Sequence, residues 1–155
     1  MVLYSDSPKE TQKLAEKMAK KMRSGSPSHG FGRVNIIALE GELGAGKTTF
    51  VQAFVKALGI TAKIKSPTFN IIKKYPVKLR HGAGKITKYV YHIDCYRLRD
   101  HKDALPVGIK EIFKEKDALV LIEWPERISK ILPKKIIRVH IDHIAPSKRK
   151  ITIKK

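Results

Sequence analysis

Val34–Leu58 reads VNIIALEGELGAGKTTFVQAFVKAL. Its first part, Val34–Leu39, is a nearly continuous apolar run, the pattern of a strand buried on both faces within a parallel sheet. Its last part, Thr49–Leu58, carries apolar residues at helical spacing and stops before Gly59, a residue suited to a helix C-terminal cap. Between them, Gly41-x4-Gly46-Lys47-Thr48 matches the phosphate-binding loop pattern without departure. Strand, glycine loop and helix in that order predict an α/β fold organised around the loop.

Every position of the loop has a physical task. The glycines reach backbone angles closed to other residues, so successive N–H groups along Gly41, Glu42, Leu43, Gly44, Ala45 and Gly46 can converge on phosphate oxygens. The helix that follows adds the positive end of its dipole. Lys47 is expected to reach the β- and γ-phosphates and the Thr48 hydroxyl to bind magnesium, so ATP and Mg2+ are the expected ligands. A second string, Gly82-Ala83-Gly84-Lys85, repeats four residues of the loop. It has Leu79 in place of the first glycine and Ile86 in place of Ser/Thr, and reads as a basic turn.

The rest of the chain supplies the elements around this unit. Val2–Tyr4 reads as a short strand, and Ser7-Pro8-Lys9-Glu10 has the capping-box pattern that starts a helix at Pro8. Leu14, Ala15, Met18 and Met22 recur on one face of that helix, and Ser24–Gly32 is a Gly/Ser/Pro-rich loop. Phe69–Tyr75 and Lys88–Ile93 predict an antiparallel hairpin joined by a basic turn around Arg80–Lys85. Gly108–Lys116 is a helix candidate, Ala118–Ile122 a second fully apolar strand, and Glu126–Leu132 a helix closed by Pro133. Ile136–Ile141 and Lys150–Ile153 alternate like strands at a sheet edge. The sum is one domain over residues 1–155, a P-loop NTPase-like three-layer α/β fold with a mixed sheet flanked by helices.

A nucleotide-hydrolysing site of this kind needs carboxylates at neighbouring strand ends to hold the metal and its water shell. Asp94 follows Val90–Ile93 and Glu123 follows ALVLI, each an acid closing an apolar strand. Ser66-Pro67-Thr68-Phe69 falls about 20 residues beyond Thr48, where such proteins often carry a mobile segment whose threonine senses the γ-phosphate; an ordinary turn is the other reading. Arg97 could pair with phosphate or a carboxylate, and a structural salt bridge is the expected outcome. His140 and His143 point to opposite faces of a strand, and no histidine cluster suggests a metal.

Composition narrows the class. Apolar residues make up 42% and charged residues 30% of the 155, and Cys95 is the only cysteine, which excludes an internal disulfide and a multi-cysteine metal site. No apolar run approaches the roughly 20 residues a membrane span needs, and MVLYSDSPKE is not a secretory leader, so a cytoplasmic protein is expected. Lys and Arg total 33 against 14 acidic residues, a formal net charge of +19. That charge suits a nucleic-acid partner, but it also suits a lysine-rich background spread along the whole chain.

GELGAGKTT, SPTF, HIDCYRL and IEWPER, in this order and spacing, make the chain resemble the TsaE family, formerly called YjeE, over roughly Met1–Leu132. The resemblance implies a small P-loop ATPase that acts with TsaD and TsaB in making threonylcarbamoyladenosine (t6A) next to the anticodon of tRNA. Hydrolysis would reset that complex, while the transfer chemistry belongs to TsaD; direct and indirect contact with tRNA both stay open. Carried over by motif, Lys47 and Thr48 are the phosphate and magnesium residues and Thr49 helps hold phosphates. Thr68 belongs to a first switch, and Asp94 is a catalytic or metal-linked acid. Glu123 takes the Walker B role toward the metal, and Trp124 lies near the nucleotide. Two departures stand out: the long basic turn over Val77–Lys88, and Cys95 where the family usually has an aliphatic residue.

Other classes fit less well. A GTPase would carry Asn-Lys-x-Asp, yet Asn35 and Asn70 are each followed by Ile-Ile. A small-molecule kinase shares the loop but needs an arginine-rich lid and an acceptor pocket with its own base. A basic RNA-binding module with a vestigial loop does not explain Lys47, Thr48, Asp94 and Glu123 together.

Overall fold

A computed structural model of the chain describes residues 1–23, 35–67, 69–77 and 88–155. Thr68, the Ser24–Gly32 loop and the Arg80–Lys85 turn lie outside the described residues. The strands are β1 (Val2–Ser5), β2 (Ile36–Glu40), β3 (Ile72–Pro76), β4 (Tyr89–Asp94), β5 (Ala118–Glu123), β6 (Ile137–His143) and β7 (Arg149–Lys154). The helices are α1 (Pro8–Arg23), α2 (Lys47–Ala57) and the single turn α3 (Ile109–Ile112), with a 3₁₀ segment at Pro125–Ile131.

One seven-stranded sheet runs in the order β1-β7-β6-β2-β5-β4-β3. The four central strands β6, β2, β5 and β4 are mutually parallel, whereas β3 joins antiparallel at one side and β7 and β1 at the other. Alternate residues of β2 and β5 go to opposite layers, as the apolar runs predict. Ile37, Leu39 and Leu121 pack with Met18 of α1 and Phe50 and Phe54 of α2. Ile36, Val120 and Ile122 pack with Ile109, Ile112 and Ile128 on the other face. Each such fully buried side chain contributes about 1.5–3 kcal/mol of apolar burial, so both layers hold the central strands in place.

Local chemistry explains the boundaries. Ser7 Oγ accepts the Glu10 N–H at 3.3 Å, and Glu10 Oε2 accepts the Asp6 N–H at 2.7 Å, so the reciprocal cap reaches one residue further back than the simple pattern predicts. β3 starts at Ile72 rather than Phe69. Pro67 O accepts the N–H groups of Asn70 and Ile71 in a turn, and Ile71 sits at φ 60°. The expected helix over Gly108–Lys116 is only one turn long, because Lys114 and Glu115 bond back three residues, to Glu111 and Ile112, rather than four. The expected helix after Glu123 is a 3₁₀ segment broken at Ile128, whose φ is −121°.

The edge assignment for the last two strands is corrected. β6 lies between β2 and β7, and β7 lies between β6 and β1, so neither is an edge. Their alternation has another cause. Ile137, Val139 and Ile141 face the layer of α1 and α2, while Arg138 is exposed and His140 and Asp142 are part-buried, all three outside both buried clusters. Periodicity two reports one uncovered face and says nothing about lateral neighbours.

Candidate functional site

The loop Gly41–Gly46 leaves the end of β2 and enters α2 at Lys47, as the motif requires. Gly46 is the N-cap residue at φ 108°, and no side chain caps the helix, so the first-turn N–H groups are not taken up by a capping side chain and remain suited to an anion. Gly41 is needed for a different reason. A Cβ built on it would stand 2.3 Å from the Ile141 carbonyl oxygen, at a φ of 134° that disfavours side chains in any case. The loop therefore rests directly on the backbone of β6. On that same side Arg149 Nε donates to the Ala45 carbonyl at 2.9 Å, which ties the loop to the start of β7.

Lys47 is buried and folds back along the loop. Its Nζ donates to the carbonyls of Gly41 at 2.7 Å and Glu42 at 2.8 Å, and lies 3.9 Å from the centre of the Trp124 ring. Two of its three N–H donors are thus used by the loop itself. Burial pushes the ammonium below its ordinary value, and Glu123, Glu126 and Asp94 pull it partly back.

Opposite the loop the two strand-end acids stand side by side, because β4 and β5 are parallel neighbours with Asp94 in register with Glu123. Both are buried. Thr48 Oγ1 donates to Glu123, 3.0 Å from each carboxylate oxygen. Asp94 accepts the Tyr96 N–H at 3.0 Å through Oδ1 and the Ser66 hydroxyl through Oδ2. Next to Glu123 the chain turns sharply at Trp124, φ 59°, a left-handed conformation costing on the order of 1–3 kcal/mol in a non-glycine residue. That turn brings the indole over Lys47 and within 5.2 Å of the Tyr96 ring.

These groups belong to an open cavity of about 350 Å³ lined by Leu43, Gly44, Gly46, Lys47, Thr48, Thr49, Ser66, Asp94, Tyr96, Glu123 and Trp124. Gly41 and Glu42 instead face a cavity of about 670 Å³ across Trp124, with Glu40 and His140, and Ala45 is buried beneath the loop. The oxygens of Thr48, Glu123 and Asp94 are a hard donor set that fits Mg2+. Among the described residues no three His, Cys, Asp or Glu side chains could hold an ion by themselves. Such a set suits a metal bound jointly with substrate phosphates and water.

Arg97 differs from its expectation. Its guanidinium lies 4.2 Å from the Phe69 ring centre, a cation–π contact, and among the described residues it forms no salt bridge. Sequence reasoning also missed the supports. Ser66 holds Asp94, Arg149 holds Ala45, and His92 Nε2 lies 2.9 Å from Glu123 Oε1. A histidine inside an otherwise apolar strand was the available signal for the last of these.

The profile described as "Threonylcarbamoyl adenosine biosynthesis protein TsaE" matches residues 5–151. The chain belongs to the TsaE family. It is 35% identical over 146 residues to the Bacillus subtilis "tRNA threonylcarbamoyladenosine biosynthesis protein TsaE", covering 94% of this chain and 80% of that one. The protein of the same description from Rickettsia conorii is 33% identical, with 96% and 74% covered. The fold matches the crystal structure of Bacillus subtilis YdiB with a TM-score of 0.73 at 28% identity, over 99% of this chain and 83% of that one. The TsaE resemblance and the P-loop NTPase-like α/β fold expected from the motifs thus both hold, and no helix among the described residues is long and apolar enough to cross a membrane.

Proposed function

We propose that this TsaE-family chain is the ATP-binding and ATP-hydrolysing component of tRNA threonylcarbamoyladenosine biosynthesis, a Mg2+-dependent enzyme that is weak alone and is stimulated by TsaD and TsaB. The observation that carries the reading is the meeting of Lys47 and Thr48 with the paired acids Asp94 and Glu123 around one cavity. Relatives sharing most of the chain are named for that biosynthesis.

In this reading the loop N–H groups and Lys47 bind the phosphates, with Lys47 exchanging at least part of its hold on Gly41 and Glu42 for phosphate oxygens. Thr48 and Glu123 hold the metal and its water, which requires their mutual hydrogen bond to open. Bound magnesium would supply neutralising charge at the phosphates during transfer to water. Asp94, anchored by Tyr96 N–H and Ser66, orients water at the same strand edge. Tyr96 and Trp124 wall one side of the cavity. Among the described residues the cavity lining holds no acceptor base beyond these acids, which favours hydrolysis over transfer to a second substrate.

The test is phosphate release by the purified chain, alone, with candidate small-molecule acceptors, and with TsaB plus TsaD. Release that rises several-fold, on the order of tenfold, only with the two proteins is the expected result. Release that follows a small-molecule acceptor would overturn the proposal in favour of a kinase.

A further inference from the structure

We propose that His92 is a positioning residue for Glu123, a role that rests on the reading of Glu123 as the acid acting on metal and water. β4 reads YVYHID, and His92 is fully buried within it, flanked by the apolar or aromatic Val90, Tyr91 and Ile93. It pairs in register with Leu121 of β5, two residues before Glu123, so both side chains project from the sheet face that carries α2. The ring's Nε2 stands 2.9 Å from Glu123 Oε1, while Nδ1 is buried with no hydrogen-bond partner among the described residues.

This arrangement is costly as packing and sensible as orientation. An apolar side chain would fill the same space without leaving a buried nitrogen unpaired, so core filling alone does not explain a histidine here. Glu123 accepts the Thr48 hydroxyl, and a bond donated to it by the ring places the proton on Nε2, leaving Nδ1 as the weaker loss, an unused acceptor. Held by His92 from below and by Thr48 from above, the carboxylate has a fixed rotamer. Were Thr48 to turn toward a bound metal, the imidazole bond would be, among the described residues, the side-chain hydrogen bond left to keep Glu123 aimed at the cavity.

The test compares His92→Phe, which keeps the ring and removes the donor, with His92→Gln, whose amide nitrogen reaches the place of Nε2, in the full chain. His92→Phe is expected to lower kcat for ATP hydrolysis about tenfold or more while shifting KM and ADP affinity less than about threefold; His92→Gln restores kcat to within about threefold of the native chain. In a Glu123→Gln background, His92→Phe should cost nothing further. Nitrogen NMR of the ligand-free chain should show His92 in the Nε2–H form, and Glu123→Ala should let the tautomers mix. A kcat within about twofold of native for His92→Phe, a loss that adds fully to that of Glu123→Gln, or a ring in the Nδ1–H form overturns the proposal. Should His92→Phe not fold, His92→Asn takes its place: its shorter amide is expected to lose turnover where His92→Gln keeps it, and equal turnover in the two overturns the proposal. Failure of the underlying ATPase reading looks different, because Lys47→Ala would then leave turnover unchanged while the NMR signature of His92 persisted.

Discussion

Thr48 and Glu123, 75 residues apart in sequence, share a hydrogen bond of 3.0 Å to each carboxylate oxygen across the gap between α2 and β5. A hydroxyl and a carboxylate that satisfy one another form a closed pair, and a cation entering between them must break it. Removing either the hydroxyl or the neighbouring ammonium therefore has separable consequences. Thr48→Ala should abolish the magnesium dependence of nucleotide binding. Lys47→Ala should weaken binding by on the order of 100-fold, since it removes the charge facing the phosphates and orphans the Gly41 and Glu42 carbonyls. Titration with ADP, with and without magnesium, checks both, and hydrolysis within about twofold of native in the two variants would sink the assignment.

Asp94 and Glu123 are adjacent across two parallel strands and act, in this reading, on metal and water instead of the nucleobase. Asp94→Ala and Glu123→Ala should each lower kcat by about 100-fold or more while leaving ATP affinity within about tenfold. Because Trp124 lies over Lys47, its fluorescence should change on binding and report the affinity directly. Weak binding with normal turnover of bound ATP is the contrary outcome.

Gly41→Ala tests the seat of the loop on β6. The added methyl would overlap the Ile141 carbonyl oxygen, so either the loop lifts or β2 and β6 separate. A stability loss of at least about 2–3 kcal/mol, together with lost nucleotide binding, is expected in thermal and denaturant unfolding. Gly44→Ala meets no atoms within 4 Å and pays only for its φ of 80°, so it should be milder.

Burial pushes the Cys95 thiol up to about 12, with Asp94 and Glu126 adding to the shift. The unfolded chain gives up this proton first as pH rises from 9.0, the thiol's ordinary value. The native state's advantage from Cys95 is thus intact below about pH 9 and is lost between about pH 9 and 12. The folded protein should react with disulfide reagents at pH 8 at a rate set by unfolding, and Cys95→Ala should flatten part of the alkaline fall in stability. Fast labelling of the folded chain would contradict the buried placement.

The net charge of +19 yields a prediction about partners. If lysines meet tRNA in the TsaB–TsaD complex, log affinity should fall with log salt by about 0.7–0.9 for each phosphate neutralised. Lys88 is paired with Asp117 at 2.8 Å, but both are well exposed and such a pair is weak, so changing Lys78, Arg80, Lys85 and Lys88 to Ser should reduce that slope if this basic segment is the contact. Binding that does not respond to salt would leave the charge as background composition.

The loop and its flanking elements were legible because their chemistry is local: an apolar run, a fixed glycine spacing and a helical period are all contained in Val34–Leu58. Asp94 and Glu123 were legible as acids closing apolar strands, and their closeness was expected only because the loop's chemistry requires it; the register that sets them side by side leaves no trace along the chain. The interior place of β6 was hidden because period-two alternation carries no record of which strand lies beside which. Arg149 and His92 were missed because each acts through one long-range contact, to Ala45 and to Glu123, that leaves no pattern along the chain. The Arg97 contact with Phe69 was hidden because a guanidinium over an exposed ring leaves no pattern along the chain.

The position of β6 beside β2 also bears on how the chain is made. In N-to-C synthesis, β2 and its phosphate loop emerge about 100 residues before the strand that covers their open side. Until Ile137–His143 has left the ribosome, β2 presents a bare row of N–H and C=O groups, and the loop lacks its seat on Ile141. The nascent protein therefore lacks the seated form of its loop, and its central strand is exposed to mispairing for most of translation. Fragments that stop before β6 should aggregate rather than persist as smaller nucleotide-binding units.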